Sequence, residues 1–475
     1  MADSVMAPPR SGRTFDRSIV EGPIHQAVWK LAWPTMLQNV IGGLQGIVDH
    51  AMVGNFVGYQ GNAAIGVSWQ IFLVVVVFNM ALFTGMGVMV ARFAGANEPE
   101  KVNRTVYQAF LTAAAFAFVF LAPVGYFLAP HLLELVNATA EVRAEALPYL
   151  RIMFVFSFGM LIFFMLGGAL RSAGDAKTPL RLGIALTVLN LVLNVVFIRG
   201  FGPIPGFGTT GAAIGTTLAG GILAVYALHR LFAHRWVIGF HPGASLKPDF
   251  EIIRSIFRFG IPAGIQGVAM NIGGVIMLAF VGSLALSGQA QAAYSVGYTQ
   301  VFSLITWTSI GLMGAAAAVA GQNLGADRPD RSIQGVHVAA YIGLAVAVVA
   351  GALFLLVPNV LLSIFGMDDP AVYELTVELL AYLAVSGLFV TVALSYTGGL
   401  QGTGDTKSPL YISLVSQLIV PIGICTVLQL TRGLEARDIW LAIVFGHVTR
   451  AVLSMLRFRQ ARWRDIKVEI GPARA

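Results

Sequence analysis

The 475-residue chain is 57% hydrophobic and only 11% charged, with a mean hydropathy of +0.77 and a net charge of +7. Soluble domains carry about 25% charged residues, so a water-soluble enzyme is excluded, and repeated apolar runs of about 18 residues or more indicate a polytopic helical membrane protein. The basic residues are spread over short connectors, which argues against a nucleic-acid partner and makes them reporters of orientation.

Residues 1–28 are polar, with Arg10, Arg13 and Arg17, and lack a short apolar core ending in small residues, so no cleavable signal is expected. Residues 1–23 read as a disordered cytoplasmic tail. Twelve spans are predicted at roughly 29–57, 62–93, 105–131, 147–171, 178–200, 210–233, 254–283, 290–321, 335–366, 376–401, 408–431 and 438–460. They divide into a six-helix lobe at 24–233, a cytoplasmic linker at 234–253, a second six-helix lobe at 254–460 and a cytoplasmic tail at 461–475. Most of the 30 Lys and Arg lie in the two tails and in loops after even-numbered spans, which places both termini in the cytoplasm. The single cysteine, Cys425, sits in an apolar run and reads as a small core residue.

The first span, Trp33 to Gly54, carries Asp49, and no other long apolar run holds an acid in its interior. A carboxylate in hydrocarbon costs a few kcal/mol or more, so such acids usually line a cavity and serve an ion pathway. A structural acid that caps a kink is the other reading. His50 points about 100° away from Asp49 around the helix and reads as a helix-contact residue. Pro34 is expected to start the helix rather than bend it.

Two loop motifs recur at a shift of about 230 residues. Gly95-Ala96-Asn97-Glu98-Pro99-Glu100 returns as Gly325-Ala326-Asp327-Arg328-Pro329-Asp330. Gly174-Asp175-Ala176-Lys177-Thr178-Pro179-Leu180 returns as Gly404-Asp405-Thr406-Lys407-Ser408-Pro409-Leu410. Both copies follow even-numbered spans, so the halves are parallel repeats, a transporter architecture with a midline cavity that opens alternately to each side. Thr178 and Ser408 are expected to cap the next helix ahead of proline, with Asp175–Lys177 and Asp405–Lys407 as ion pairs that fix the turn. Gly402 to Ser408 fails as a phosphate-binding loop, and no other nucleotide motif is present, so energy must come from an ion gradient or a partner.

Aligning the first span of each half pairs Pro34 with Pro262, Gln38 with Gln266 and Gly54 with Gly282; the counterpart of Asp49 is Met277. The charge is thus confined to one half. In the fifth span Asn190 and Asn194 share a helical face and need partners, which a carboxyl on a facing helix could supply. The sixth span adds Thr209, Thr210, Thr216 and Thr217.

These carriers together, from the Val48-Asp49-His50-Ala51-Met52-Val53-Gly54 segment to Leu189-Asn190-Leu191-Val192-Leu193-Asn194 and both repeated loops, resemble the multidrug and toxic compound extrusion (MATE) transporters over nearly the whole chain. The resemblance implies an all-α integral membrane protein of twelve transmembrane helices in two pseudo-symmetric six-helix bundles, exporting organic cations or other amphiphiles against H⁺ or Na⁺. The prokaryotic DinF-like branch would place a cation-coupling cluster at Asp49, Asn190, Asn194 and Thr216. Here Asn194 stands where that pattern has a second acid, and the acids that the NorM-like branch places on spans 7 and 10 are absent. A lone desolvated carboxylate can still be neutralised by a proton, so H⁺ is favoured over Na⁺, which would bind at Asp49, Asn190 and Asn194.

The expected protein is therefore not an enzyme but a monomeric antiporter of the bacterial inner membrane, without a cofactor, exporting amphiphilic and cationic small molecules. Candidate cavity residues are Gln38, Gln45, Trp69, Gln266, Asn271, Tyr294, Gln300 and Trp307, with Tyr298 and Gln417 less decided. The alternative is a flippase or exporter of a lipid-linked or anionic metabolite. It would be expected to bring several basic residues into the cavity, whereas the spans are nearly free of them apart from Arg450.

Overall fold

The computed structural model describes residues 15–240, 247–363, 365 and 369–470. Among the described residues the chain forms six helical spans in each of two lobes. Spans 1 to 6 are Ile24–Phe56, Tyr59–Gly95, Pro99–Phe127, the pair Ala140–Val155 and Ser157–Ser172, Lys177–Arg199, and Gly208–Phe232. Spans 7 to 12 are Phe250–Gly282, Ser287–Gly325, Pro329–Leu356, Pro370–Thr403, Lys407–Thr431 and Ala436–Arg459. Ten of these helices are long and apolar enough to cross a membrane, and the bent pair, which turns by 54°, makes eleven. Ile24–Phe56 is not among them, because Lys30, Gln38, Asn39, Gln45, Asp49 and His50 interrupt its apolar character. At 33 residues it is roughly 50 Å long and spans the bilayer by length.

Each lobe closes over its own core. Leu82, Met86, Leu150, Met165 and Leu166 lie in the first, and Ile305, Leu379, Leu383, Ile439 and Trp440 in the second. The repeat is visible in matched details. Short helices Ala129–Leu135 and Pro358–Ser363 follow spans 3 and 9 at equivalent positions, where Pro130 and Pro358 stop the preceding helix short of the predicted 131 and 366. Asn97 and Asp327 both adopt positive φ, near 60° and 56°, the left-handed conformation that Asn and Asp tolerate best.

The paired Gly-Asp turns form differently from expectation. Gly174 and Gly404 take φ near +100°. Asp175 then accepts from the Thr178 amide at 3.0 Å and its hydroxyl at 2.6 Å, and Asp405 accepts from the Ser408 amide and hydroxyl at 3.2 and 2.9 Å. The aspartates therefore cap the helices, which start at Lys177 and Lys407, and the lysines are not their partners. A carboxylate reaches the free first-turn amides better than a hydroxyl already inside the helix. Buried Asp405 has a second partner in Arg457, at 2.8 Å, that Asp175 lacks. Asp405→Ala should thus destabilise the protein by about 2–4 kcal/mol and Asp175→Ala by about 1 kcal/mol. Thermal unfolding in detergent checks this; equal shifts for the two variants would remove the role of Arg457.

Pro34 also departs from expectation. It lies inside span 1, as Pro262 does in span 7, because the helix begins ten residues earlier at Ile24. The proline leaves the Lys30 carbonyl without its helical donor. Around it, Thr35 Oγ1 donates to the Leu31 carbonyl at 2.6 Å and Asn39 donates to the Thr35 carbonyl at 2.8 Å.

The lobes meet most tightly near the face that carries both chain ends. An ideal Cβ on Gly95 would lie 1.9 Å from the Gln322 carbonyl oxygen, and one on Gly325 would lie 2.0 Å from that of Arg92, a reciprocal contact between spans 2 and 8. Spans 2 and 7 approach as closely, with Gly85 against the Ile256 carbonyl and Gly260 against that of Ala81. Only glycine permits such approach between helix backbones.

The predicted disordered tail is corrected from Phe15 onward; residues 1–14 lie outside the described residues. Ser18–Glu21 is a helical turn with Ile19 and Val20 fully buried. It bridges the lobes: Arg331 donates to the Gly22 carbonyl at 2.7 Å, Arg328 to that of Val20 at 3.0 Å, and Arg17 to that of Gly95 at 3.2 Å. The linker is likewise not free chain where it is described, since Trp236, Ile238 and Phe240 are buried in the first lobe; residues 241–246 lie outside the described residues. In the C-terminal segment Trp463 is buried, and the Ile466 carbonyl accepts from Arg92 at 2.8 Å.

Candidate functional site

Every described cross-lobe side-chain hydrogen bond, including Gln322 to the Ser172 carbonyl at 2.7 Å and Arg104 to Asp249 at 3.0 Å, lies on the terminal face. Between the lobes a cavity of about 990 Å³ remains, large enough for a drug-sized amphiphile. Part of its wall is span 1, where Gly42 and Gly46 face open space. Trp307 from span 8 crosses to the same helix: an ideal Cβ on Gly43 would lie 2.3 Å from its indole, so any larger residue there would displace the ring.

Asp49 lies in the cavity wall. Its Oδ1 accepts from Asn194 Nδ2 at 2.9 Å, the same amide donates to Asn190 Oδ1 at 3.2 Å, and Asn190 Nδ2 donates to Thr216 Oγ1 at 3.0 Å. All four residues named from the sequence thus form one hydrogen-bonded chain across spans 1, 5 and 6. The i, i+4 spacing of the asparagines on one helical face makes this possible. Asn190 and Asn194 are buried behind Asp49, while Thr216 also reaches the cavity. Gly215 makes the room, since a Cβ there would lie 2.1 Å from Asn194 Oδ1. That oxygen is itself buried and accepts no hydrogen bond. Met277, the counterpart of Asp49, is buried in the second lobe core, so the acid has no symmetric twin.

His50 turns to span 2, where its Nδ1 lies 2.5 Å from Asn62 Oδ1, a helix contact as expected from its place around the helix. Asn62 Oδ1 is an acceptor, so His50 Nδ1–H is the donor and this side of the imidazole is engaged with span 2.

Of the expected cavity residues, Gln38, Gln45, Trp69, Gln266, Asn271 and Trp307 line the cavity, as do Tyr298 and Gln417. Gln45 accepts from Thr187 at 2.8 Å, and Gln266 donates to Ser413 at 2.7 Å and accepts from Gln401 at 3.2 Å. Tyr294 and Gln300 are corrections. Tyr294 is buried within the second lobe, stacked on Tyr298 and Trp440, and Gln300 is not in the wall. Both share the span with Tyr298, but only one face of that span meets the cavity. The sequence reading missed Tyr149, Arg171 and His447 as wall residues. Tyr149 and Arg171 fall at the ends of the span predicted at 147–171, where side chains at an interface and side chains in a cavity have the same composition.

The MatE family model matches residues 34–196 and 262–427, one copy in each lobe. The chain is 25% identical over 448 residues to "Probable multidrug resistance protein NorM" of Thermotoga maritima, covering 93% of each chain. It is 27% identical over 444 residues to the protein of that description in Deinococcus radiodurans, covering 91% of this chain and 94% of the relative. Among solved structures, one described as the outward-facing conformation of a multidrug resistance MATE family transporter has a TM-score of 0.88 at 20% identity, covering 96% of this chain and all of that one. A MOP superfamily transporter from Pyrococcus furiosus, described as having a binding pocket of reverse polarity, has a TM-score of 0.87 at 21% identity, covering 96% of this chain and all of that one.

Proposed function

Since the chain belongs to the MatE family of membrane transporters, we propose that it is an antiporter that exports amphiphilic organic compounds in exchange for H⁺, with Asp49 as the coupling group. The observation that carries this reading is the chain from Asp49 through Asn194 and Asn190 to Thr216, with one buried acceptor, Asn194 Oδ1, left open beside the carboxyl. A deprotonated Asp49 uses the Asn194 amide as donor. A protonated Asp49 becomes a donor itself and needs an acceptor, and rotation of the Asn194 amide presents one without moving either helix. The site can therefore offer a hydrogen-bond partner to either protonation state, with the Asn194 to Asn190 bond given up when the amide turns.

In this reading the terminal face is cytoplasmic and the protein sits in the bacterial inner membrane, as the distribution of Lys and Arg implies. The described state is closed at that face, so the cavity delivers external protons to Asp49. Protonation removes the charge and releases substrate from the wall. Span 1 then bends near Pro34 and the Gly42-Gly43-Gly46 stretch, and the lobes rock to expose the cavity to the cytoplasm, where Asp49 loses its proton and substrate binds. An arrangement with one carboxylate follows the DinF-like pattern less its second acid, and the missing charge weakens Na⁺ at Asp49, Asn190 and Asn194 more than it weakens H⁺.

Proteoliposomes with imposed gradients test the ion. Efflux of a fluorescent dye should follow an inward pH gradient in Na⁺-free buffer and should not respond to a Na⁺ gradient at equal pH. Transport driven by Na⁺ alone, with no pH gradient, would overturn the assignment of the ion while leaving Asp49 as its site.

A further inference from the structure

Asp49 is the only acid among the described residues of the cavity wall, yet the wall also holds Arg171 and Arg450. The two arginines differ in their surroundings. Arg171 lies over the Phe83 ring at 5.6 Å near the end of span 4. Arg450 is in the interior of span 12, 2% exposed, and makes no hydrogen bond or ion pair with any described residue; its Nε is buried without a partner. An ionised group at membrane depth without a counter-charge is expensive, and such groups face a cavity or the bundle interior and mark substrate or ion pathways.

Two more unpartnered nitrogens lie in the same wall. His447, one turn earlier on the same helical face, has a buried Nδ1 with no partner, and Gln417 from span 11 has a buried Nε2 donor with none. The Gln417 amide reaches span 12 beside His447, with its Nε2 3.7 Å from where a Cβ on Gly446 would stand. All three side chains line the same cavity. Aromatic rings flank them: His447 stacks on Phe302 at 5.9 Å, and Phe302 on Tyr298 at 5.6 Å.

A second, independent feature converges on this spot. Tyr298 and Gln417 lie in π-helical turns, Ser295–Val301 and Val415–Ile419. A shift of about 229 residues places their counterparts in spans 2 and 5, which are regular α-helix there. Such widened turns are commonly found at functional sites because they re-aim side chains. Here they aim a phenol and an amide at the cavity wall that holds Arg450.

We infer that the second-lobe half of the cavity binds an anionic oxygen group, a carboxylate, sulfonate or phosphate, carried by an amphiphile whose apolar part lies against Tyr298 and Phe302. Arg450 would supply a forked pair of donors to such a group, with Gln417 and His447 completing the set. The inference rests on the transport reading for the purpose of the cavity and adds to it a charge class: anionic and zwitterionic amphiphiles, alongside the cations that Asp49 alone would select.

The test is equilibrium binding to the full-length protein in phosphatidylcholine nanodiscs, with protein-free discs subtracted. The probes are 8-anilino-1-naphthalenesulfonate and N-phenyl-1-naphthylamine, which differ by the sulfonate. The wild type should bind the sulfonate at least tenfold more tightly. Arg450→Gln should erase that difference while leaving the neutral probe unchanged, and Arg450→Lys should retain most of it. Equal affinity of the wild type for the two probes overturns the inference whether or not the variant folds, as does a loss in Arg450→Gln shared equally by both probes. Adding phosphatidylglycerol separates the sources of the anion. Competition with the sulfonate assigns the site to a lipid phosphate, and unaltered binding with accumulation of the sulfonate in proteoliposomes assigns it to a transported molecule. Binding is read without a gradient, so a chain that fails to transport loses the antiport reading and keeps this one.

Discussion

Asp49→Asn is expected to abolish gradient-driven export, by about a hundredfold or more, while leaving the protein folded. Asparagine has the same shape and its carbonyl can still accept the Asn194 Nδ2 hydrogen bond, now 2.9 Å long, so the chain through Asn190 to Thr216 should survive. What is lost is the change of charge. Without it the wall of the cavity is the same in both halves of the cycle, and a gradient that cannot distinguish two states cannot drive the exchange between them. Thermal stability should be unchanged or slightly raised, because a neutral amide costs less at membrane depth than a carboxyl. Dye efflux from energised cells, with expression and melting temperature measured in parallel, decides the matter. Export equal to wild type would end the case for Asp49 as the coupling group.

Substitution at the reciprocal glycines should be nearly as severe, through conformation rather than chemistry. A methyl group at Gly95 or Gly325 would sit about 2 Å from a carbonyl oxygen of the opposite lobe, and neither backbone can yield without moving its helix. Overpacking of this kind costs about 1–3 kcal/mol, but only in the state where the terminal face is closed. The Gly95→Ala, Gly325→Ala double variant should therefore shift the equilibrium toward opening at that face by tenfold or more. Distances between spin labels on the ends of spans 2 and 8 should lengthen, and export should fall as the outward state is depopulated. An unchanged distance distribution would show that the contact does not govern closure.

The parts of this fold that were legible in the sequence share a physical basis. Spans follow from hydropathy, because an interrupted backbone cannot be satisfied in lipid. The two-lobe symmetry follows from loops, since Gly174 and Gly404, or Asn97 and Asp327, occupy backbone conformations that few residues accept. The Asp49 chain follows from polar residues whose burial demands partners. Facing was not legible. A span that meets lipid on one side and protein on the other is apolar all round and carries little periodic signal, which is why Tyr294 and Gln300 were placed in the cavity and Tyr149 was not. Pro34 misled for another reason: proline is commonest in a first helical turn, and tertiary packing from Phe15 to Val28 extended this helix backward past it. Arg450 was visible as the one basic residue deep in a span, but its lack of a partner is a property of three helices together.

Four of the arginines that tie the terminal face together hold on to main-chain oxygen: Arg17 to Gly95, Arg92 to Ile466, Arg328 to Val20 and Arg331 to Gly22. A carbonyl is present whatever side chain a residue bears. The segments being gripped are therefore free to drift in sequence across evolutionary time, so long as Ile19 and its neighbours still fill the space beneath. Among relatives that share this clasp, the arginines should persist while the stretch they hold diverges, and an alignment would mistake a shared fastening for an unrelated leader.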